Sequence, residues 1–414
     1  MANTPSLTSR RGEDQLFPPS GARLKLVSPR RAPARIGINA QKLSTSQSYH
    51  AAGTSRYVYS LLRELRALDP PESIFAYLGG VDPPLDLRRT ERFITRRAGW
   101  PTHRPSVRIA WEQLVLPGWL HHDTVTLLHG PVNALPIAWR GPSVVTILDL
   151  TFVLLPDAFN RANRLYLHWM VAFAAARATR IIAISEATRQ DIIARLRVPP
   201  ERVQRIYCGV ESRFEPLADG LEVRAHREKW GLKEGFILFL GTIEPRKNLV
   251  RLIDAYAELR RRGTTDRPLV LAGGRGWGDE MIVRRAQEAG VEESVRFVGF
   301  VPEHEMPLWY NAADLFVYPS EYEGFGLPAL EALACGTPVV ASNRSSLPEV
   351  VGDAGVLVDP TDTAAMADAM QRVLEDERLQ AHLSAAGPEQ ARPFTWRRMA
   401  EETLDVYRGV GDRT

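Results

Sequence analysis

The sequence predicts an α/β protein built from two doubly wound parallel sheets in tandem, and three observations predict it. Short apolar runs alternate with amphipathic stretches from Ile36 onward. These runs are continuously apolar rather than alternating, as strands covered by helices on both faces must be. The pattern breaks at a charged, irregular stretch over residues 209–234 and then restarts. The chain has 414 residues, enough for two units at roughly 100–200 residues per domain.

Residues 1–34 read as a basic flexible tail, rich in Ser, Pro and Arg, with no period of either helix or strand. Ile36-Gly37-Ile38 reads as the first strand. A helix over about Thr54–Leu68 follows, because Val58, Leu61, Leu62, Leu65 and Leu68 keep helical spacing. Leu127-Leu128, Val144–Ile147 and Ile181–Ile184 complete the strands of an N-terminal domain over 35–208. A second Rossmann-like domain over 209–393 takes strands at Phe236–Leu240, Leu269–Ala272, Val295–Val298, Leu315–Tyr318, Pro338–Ala341 and Val356–Val358. Helices at Asn248–Arg261 and Leu327–Ala334 lie between them. Such sheets bind ligands beyond the carboxyl ends of their strands, so the cleft between the two domains is the expected site.

Composition narrows the function. Hydrophobic residues make up 44% and charged residues 24%, as in a soluble globular chain. The net charge of +3 is too mild for a nucleic-acid binder, so no nucleic-acid partner is expected. Cys208 and Cys335 are too few for a disulfide framework or a four-ligand zinc site. Neither an apolar secretory leader nor a spanning stretch is read, so a cytoplasmic location is expected. The segment Arg88–Arg108 carries seven arginines with Phe93 and Trp100 between them. It reads equally as a solvated surface or as a peripheral contact with an anionic membrane.

Glu323-Gly-Phe-Gly-Leu-Pro-Ala-Leu-Glu331 is the most informative segment. It follows a strand and opens a helix, with Pro328 suited to the first turn. Gly324 and Gly326 allow close backbone approach, and the helix start supplies N–H donors. Glu323 and Glu331 bracket that nest, an arrangement suited to a phosphate carrying a polyol. A Gly-rich turn with two solvated glutamates is the plainer alternative. Gly241-Thr-Ile-Glu-Pro-Arg-Lys-Asn-Leu249 also joins a strand to a helix. It sets Arg246 and Lys247 where a diphosphate would meet the helix start, with Asn248 as N-cap. His50-Ala-Ala-Gly-Thr-Ser-Arg-Tyr57 supplies Gly53 from across the cleft. The chain contains no Asp-x-Asp triplet, no Walker A pattern and no G-x-G-x-x-G fingerprint. No metal or other cofactor is expected, and cationic side chains and helix dipoles must then neutralise a leaving diphosphate.

Taken together, these segments resemble glycosyltransferase family four, of the GT-B fold, from about Ile36 to Arg408. The Glu-x7-Glu element appears as Glu323…Glu331 and runs on into Ala-Leu-Ala-Cys-Gly-Thr-Pro-Val-Val-Ala-Ser342. Gly241–Asn248 matches the phosphate loop, and Phe297-Val-Gly-Phe-Val-Pro302 the base-contacting strand end. Ser185–Arg189 and Leu347–Gly355 fit as well. The resemblance implies a retaining hexosyltransferase that uses a nucleotide diphosphate sugar, first of all GDP-mannose, and a glycan or lipid-linked acceptor. UDP-glucose and a dTDP-deoxysugar are alternative donors, and a weak or non-catalytic nucleotide-sugar-binding protein is the alternative activity.

The implied donor contacts are Gly53, Arg246, Lys247, Val301, Gly324, Phe325, Gly326, Leu327 and Glu331, with the base near Val301 and the Gly274–Trp277 loop. The N-terminal domain would hold the acceptor, and residues 394–414 would carry a helix returning to it. Glu323 would stand at the reacting face beside Asp149. Relatives carry His-Asp where this chain has Leu148-Asp149, and Thr242 stands where many have Arg. His129 is the candidate to fill the missing histidine's role.

Overall fold

The computed structural model describes residues 33–43, 52–80, 82, 84–155, 161–217, 220–274 and 279–411. The basic tail falls outside them, as do Arg275, Gly276 and Trp277 of the loop expected beside the base.

The amino-terminal sheet is formed by β1 (Arg35–Ala40), β2 (Ser73–Leu78), β3 (Phe93–Arg97), β4 (Leu127–Gly130), β5 (Ser143–Ile147), β6 (Arg180–Ala183) and β7 (Val203–Arg205). Its order is β3-β2-β1-β4-β5-β6-β7, with every pairing parallel. The second sheet contains β8 (Ile237–Leu240), β9 (Leu269–Ala272), β10 (Val295–Gly299), β11 (Leu315–Tyr318), β12 (Val339–Ser342) and β13 (Val356–Val358). Its order is β10-β9-β8-β11-β12-β13, again all parallel. Strand order reverses between β1 and β4 and between β8 and β11, the positions where such sheets open a crevice at their carboxyl ends. Both sheets lie within one compact unit.

The central strands are buried along their whole length because Ile-Leu-Phe-Leu, Leu-Val-Leu-Ala and Leu-Phe-Val-Tyr meet helices on both faces. The edge strand β3 differs. Phe93 enters the core, while Arg96 pairs with Asp123 at 2.6 Å and Arg97 with Asp82 at 2.5 Å. Part of the basic, aromatic segment Arg88–Arg108 is therefore engaged within the fold. One of its two aromatics is core, and two of its arginines charge a sheet edge against further pairing.

The stretch expected to be an irregular linker contains a helix, Gly220–Lys229. Tertiary contact overrides its charged sequence: His226 packs edge-on against the buried Trp309, ring centroids 4.7 Å apart. The last helix, Trp396–Gly411, lies against the amino-terminal lobe. Trp396 packs edge-on to Tyr57, Tyr407 hydrogen-bonds His129, and Arg408 pairs with Glu72 at 2.9 Å.

The lobes also meet directly. The Glu349 carboxylate accepts the backbone N–H groups of Glu186 and Ala187 at 2.8 and 2.9 Å, capping the helix Glu186–Leu196 from the opposite lobe. Tyr322 donates to Asp191 at 2.9 Å, and Thr188 to the Gly324 carbonyl at 3.2 Å.

Candidate functional site

The crevice at the carboxyl ends of the two sheets is a cavity of about 640 Å³. Twelve side chains or backbone segments singled out above or beside its motifs face it together: Gly53, Leu148, Asp149, Arg246, Lys247, Val301, Gly324, Phe325, Gly326, Leu327, Glu323 and Glu331.

The floor is built by the turns after β8 and β11. After β8 the chain makes a short 3-10 turn, Pro245–Lys247, and enters the helix Leu249–Arg261 through Asn248, whose φ is +60°. Asn248 occupies the N-cap position without capping. Its side-chain amide instead donates to the carbonyls of Pro319 and Pro360, at 3.2 and 2.6 Å, tying this turn to those after β11 and β13. After β11, Gly326 adopts a φ of +101° and starts the helix Leu327–Ala334. A side chain there would be strained and would meet Leu347. Ser346 fixes the same turn by donating to the carbonyls of Glu323 and Phe325, at 3.0 and 2.8 Å.

Arg246 and Lys247 converge on Glu323. Lys247 Nζ lies 2.5 Å from Oε1, and Arg246 Nη1 lies 2.9 Å from Oε2. Lys247 also donates to the Tyr318 hydroxyl at 2.7 Å, and Arg246 Nε pairs with Glu244 at 2.5 Å. Burial alone would raise the Glu323 pKa, but Arg246 and then Lys247 hold it down at about 2. Lys247 is lowered by burial and by Arg246, while Glu323 pulls it back up. The cluster is thus two cations against one fixed anion, with Glu244 balancing the rim.

Glu331 lies one turn into the helix and is equally buried, but its surroundings differ. Arg56, from the helix Ala52–Leu68 of the opposite lobe, donates to Oε1, and Tyr310 donates to Oε2 at 2.9 Å. Arg56 is shared with Glu303 at 3.5 Å and Glu211 at 3.8 Å. Burial therefore prevails, and the Glu331 pKa is raised despite Arg56 and Tyr310.

The opposite wall comes from Leu148, Asp149 and Gly53. Asp149 Oδ1 accepts the Thr151 N–H at 2.9 Å, and the Leu148 N–H is held by Asn133 at 2.9 Å. A Cβ on Gly324 would overlap the Leu148 carbonyl oxygen, so glycine is required where the lobes touch. Gly53 is exposed, with open space where a side chain would stand. The Phe325 ring turns away to pack between Tyr207 and Phe394, each 5.9 Å distant, which leaves its backbone on the cleft.

His129 requires correction. It does not reach the cleft. It lies on β4, fully buried, with Nδ1 2.6 Å from the Tyr407 hydroxyl and Nε2 2.9 Å from that of Thr146. Burial lowers its pKa to about 3, so it is a neutral core residue and not a substitute for a cleft histidine. Sequence reasoning also missed Arg56, Tyr310, Tyr318 and Ser346. Arg56 alone had a signal, three residues after Gly53 in a segment already singled out. Among the described residues, no three His, Cys, Asp or Glu side chains converge as metal ligands.

Two parallel sheets meeting over such a cleft define the GT-B architecture. Solved structures of that architecture superpose along the chain. A sucrose-phosphate synthase from Thermosynechococcus elongatus has a TM-score of 0.74 and 25% identity, covering 92% of this chain and 100% of its own. WaaG, a glycosyltransferase of lipopolysaccharide biosynthesis, has a TM-score of 0.70 and 18% identity, covering 90% of this chain and 99% of its own. In sequence, residues 51–214 match the description "Glycosyltransferase Family 4" and residues 222–390 match "Glycosyl transferases group 1". The O-antigen chain mannosyltransferase B of Escherichia coli is 35% identical over 283 residues, 68% of this chain and 74% of that protein. A D-inositol 3-phosphate glycosyltransferase of Salinispora tropica is 39% identical over 247 residues, 56% of this chain and about half, 51%, of that protein. The chain belongs to glycosyltransferase family 4.

Proposed function

We propose that this glycosyltransferase moves a hexose from a nucleotide diphosphate donor, GDP-mannose in the first instance, to a glycan or lipid-linked acceptor, with retention at the anomeric carbon and without a metal ion. The observation that carries this reading is the pairing of Arg246 and Lys247 at the mouth of the helix Leu327–Ala334, where a diphosphate would meet two cations and the positive end of a helix. These groups supply the charge that a metal would otherwise bring to the leaving diphosphate. Glu331 would take the ribose hydroxyls by exchanging its bond from Arg56, and Val301 and Gly274 would border the base. Mannose is favoured by the E. coli O-antigen mannosyltransferase relative, and a glycan or lipid-linked acceptor by the same likeness.

Retention is read as departure and attack on one face. The bond from the anomeric carbon to the diphosphate oxygen breaks, and the acceptor hydroxyl oxygen bonds that carbon from the same side. Its proton passes to the leaving phosphate oxygen, and nucleoside diphosphate is released. Glu323 suits charge stabilisation better than covalent attack, because each of its oxygens already accepts from a cation. Leu148 favours a second donor reading. It puts an apolar side chain on the cleft, which suits a deoxysugar lacking the hydroxyl that a histidine would meet.

Calorimetric titration with GDP, UDP and dTDP sugars, all with EDTA, tests the donor. Binding of GDP-mannose that vanishes in Lys247→Ala is the expected result. Exclusive binding of a dTDP-deoxysugar would transfer the assignment to the second reading, and no binding at all would leave a non-catalytic protein. NMR of the product anomer tests the stereochemistry, and inversion would sink the same-face route.

A further inference from the structure

The amino-terminal sheet has a switch point of its own. Its strand order reverses between β1 and β4, so a ligand crevice is expected outside the carboxyl ends of those two strands. The cavity between the lobes takes none of its wall from Asn39–Leu43, where β1 ends. At that end a separate polar cluster gathers. The Leu43 N–H donates to the Ala40 carbonyl at 3.0 Å, closing a tight turn that carries Lys42. The helix Pro105–Ala110 and its π-helical continuation Trp111–Val115 bring in Arg108 and Glu112, with Arg108 Nε 3.7 Å from Glu112 Oε1. The Asn39 amide donates to the Glu112 carboxylate, and Lys42 and the half-buried Tyr166 lie close enough to feel its charge.

Two features separate this cluster from an ion pair that merely holds the fold. Its polar groups do not close on one another. Lys42, Arg108 and Glu112 leave one positive charge over, and Arg108 Nε and Asn39 Oδ1 are buried with no hydrogen-bond partner among the described residues. A structural cluster satisfies such atoms. Burial and then Arg108 lower the Lys42 pKa to about 8, although Glu112 pulls it up. Burial raises that of Glu112 against Arg108, Lys42 and Asn39. An anion between the two cations would relieve their repulsion and take the idle guanidinium N–H. The second feature is the backbone. Glu112 is carried on a π-helical turn, a conformation that gives up regular helical hydrogen bonding and recurs at functional sites.

Register fixes where the cluster stands. Ile38 is level with His129 on β4, and His129 with Val144 on β5. Asn39 is therefore level with Val145, two strand spacings away, on the order of 10 Å. Leu148 of the cleft wall follows directly on β5. The cluster thus opens on the same edge of the sheet as the cleft, to one side of the reacting face. We propose that Lys42 and Arg108 hold a phosphate of the acceptor, remote from the hydroxyl that attacks, while Asn39, Glu112 and Tyr166 meet hydroxyls beside that phosphate. The acceptor is then a phosphate-bearing saccharide, either a free sugar phosphate or one linked through phosphate to a lipid. This assignment rests on the transferase reading above but not on the identity of the donor base or on the stereochemistry.

Calorimetric titration of the full chain with inorganic pyrophosphate reads both anion sites at once. Two classes of binding are expected. Lys247→Ala should remove the class in the cleft, and Lys42→Met/Arg108→Gln should weaken the other by about tenfold or more, the worth of a lost charge-assisted contact. The cleft class kept in that double variant shows that it folds. Should both classes disappear, Lys42→Met alone, at a half-exposed side chain, decides. Lys42→Arg/Arg108→Lys keeps both charges and should retain most of the binding. Equal loss in the charge-keeping and charge-removing pairs would overturn the inference. So would a single class that only Lys247→Ala removes, which leaves the donor reading intact. A single class that only the Lys42 and Arg108 variants remove would uphold the inference and sink the diphosphate assignment. In Lys247→Ala, displacement of pyrophosphate by mannose 1-phosphate points to a free sugar phosphate. Displacement by a short-chain polyprenyl diphosphate mannose points to a lipid-linked acceptor. Methyl α-mannoside should displace nothing. If neither phosphate ester displaces pyrophosphate, the site takes an adventitious ion only and the inference falls.

Discussion

Glu323 and Glu331 belong to one motif, are buried alike, and are pushed in opposite directions. Glu323 meets two cations from its own lobe, one on each oxygen, and is held ionised at about 2. Glu331 meets one arginine from the other lobe, shared with two further carboxylates, and its pKa rises. Burial is equal, so the number and ownership of the cations decide the sign. One end of the motif is prepaid in charge within a single lobe, whereas the other depends on how the lobes meet.

The sharpest way to break this contrast is Lys247→Ala. Turnover should fall about 10²–10³-fold, as when one preorganised electrostatic donor is lost. Glu331→Gln should cost clearly less, and equal losses in steady-state kinetics would erase the distinction.

Acid titration comes next. The Glu323 value of about 2 lies below its ordinary 4.5, so its contribution is complete above about pH 4.5 and disappears as the pH falls toward 2. That contribution is about 3 kcal/mol. Neutral His129, lowered from 6.5 to about 3, begins to disfavour the folded chain earlier, as the pH drops below about 6.5. Glu331 runs the other way, its penalty at neutral pH fading on acidification. Denaturant midpoints measured against pH should thus fall in two stages, and Glu323→Gln should remove only the lower one.

Gly324→Ala tests the lobe contact itself. The added methyl overlaps the Leu148 carbonyl, so the lobes must separate. A displacement of that size costs about 10²-fold in turnover, with nucleotide affinity far less affected. The smallest effect belongs to Glu331→Gln. It should weaken nucleotide binding by about tenfold, the worth of one charge-assisted hydrogen bond, and leave the acid profile's lower stage in place.

The same division governs what the sequence disclosed. Leu269–Ala272, Leu315–Tyr318, Val356–Val358 and the helix Leu327–Ala334 lie where the apolar runs put them, because strands covered on both faces must be apolar throughout. β2, β3 and β7 escaped notice. Ser73–Leu78 begins with serine just after Pro70-Pro71-Glu72, Phe93–Arg97 ends in two arginines at a sheet edge, and Val203–Arg205 is only three residues long. Glu323, Arg246 and Lys247 were legible because each stands in a strand–turn–helix segment with its own chemistry. Arg56 and Tyr310 were not, for their role at Glu331 exists only in three dimensions, Arg56 lying 275 positions from its partner. His129 misled for the converse reason. A histidine at a strand end carries no mark of the tyrosine 278 positions away that closes over it.

That closing tyrosine has a consequence for synthesis. The amino-terminal lobe emerges from the ribosome first, yet Tyr57, His129 and Glu72 find their partners only when Trp396, Tyr407 and Arg408 have been made. The first-born half must wait, incompletely packed, while the second half folds, and the last helix then seals both. A nascent chain stalled before that helix should therefore bind chaperones through the lobe that was translated earliest.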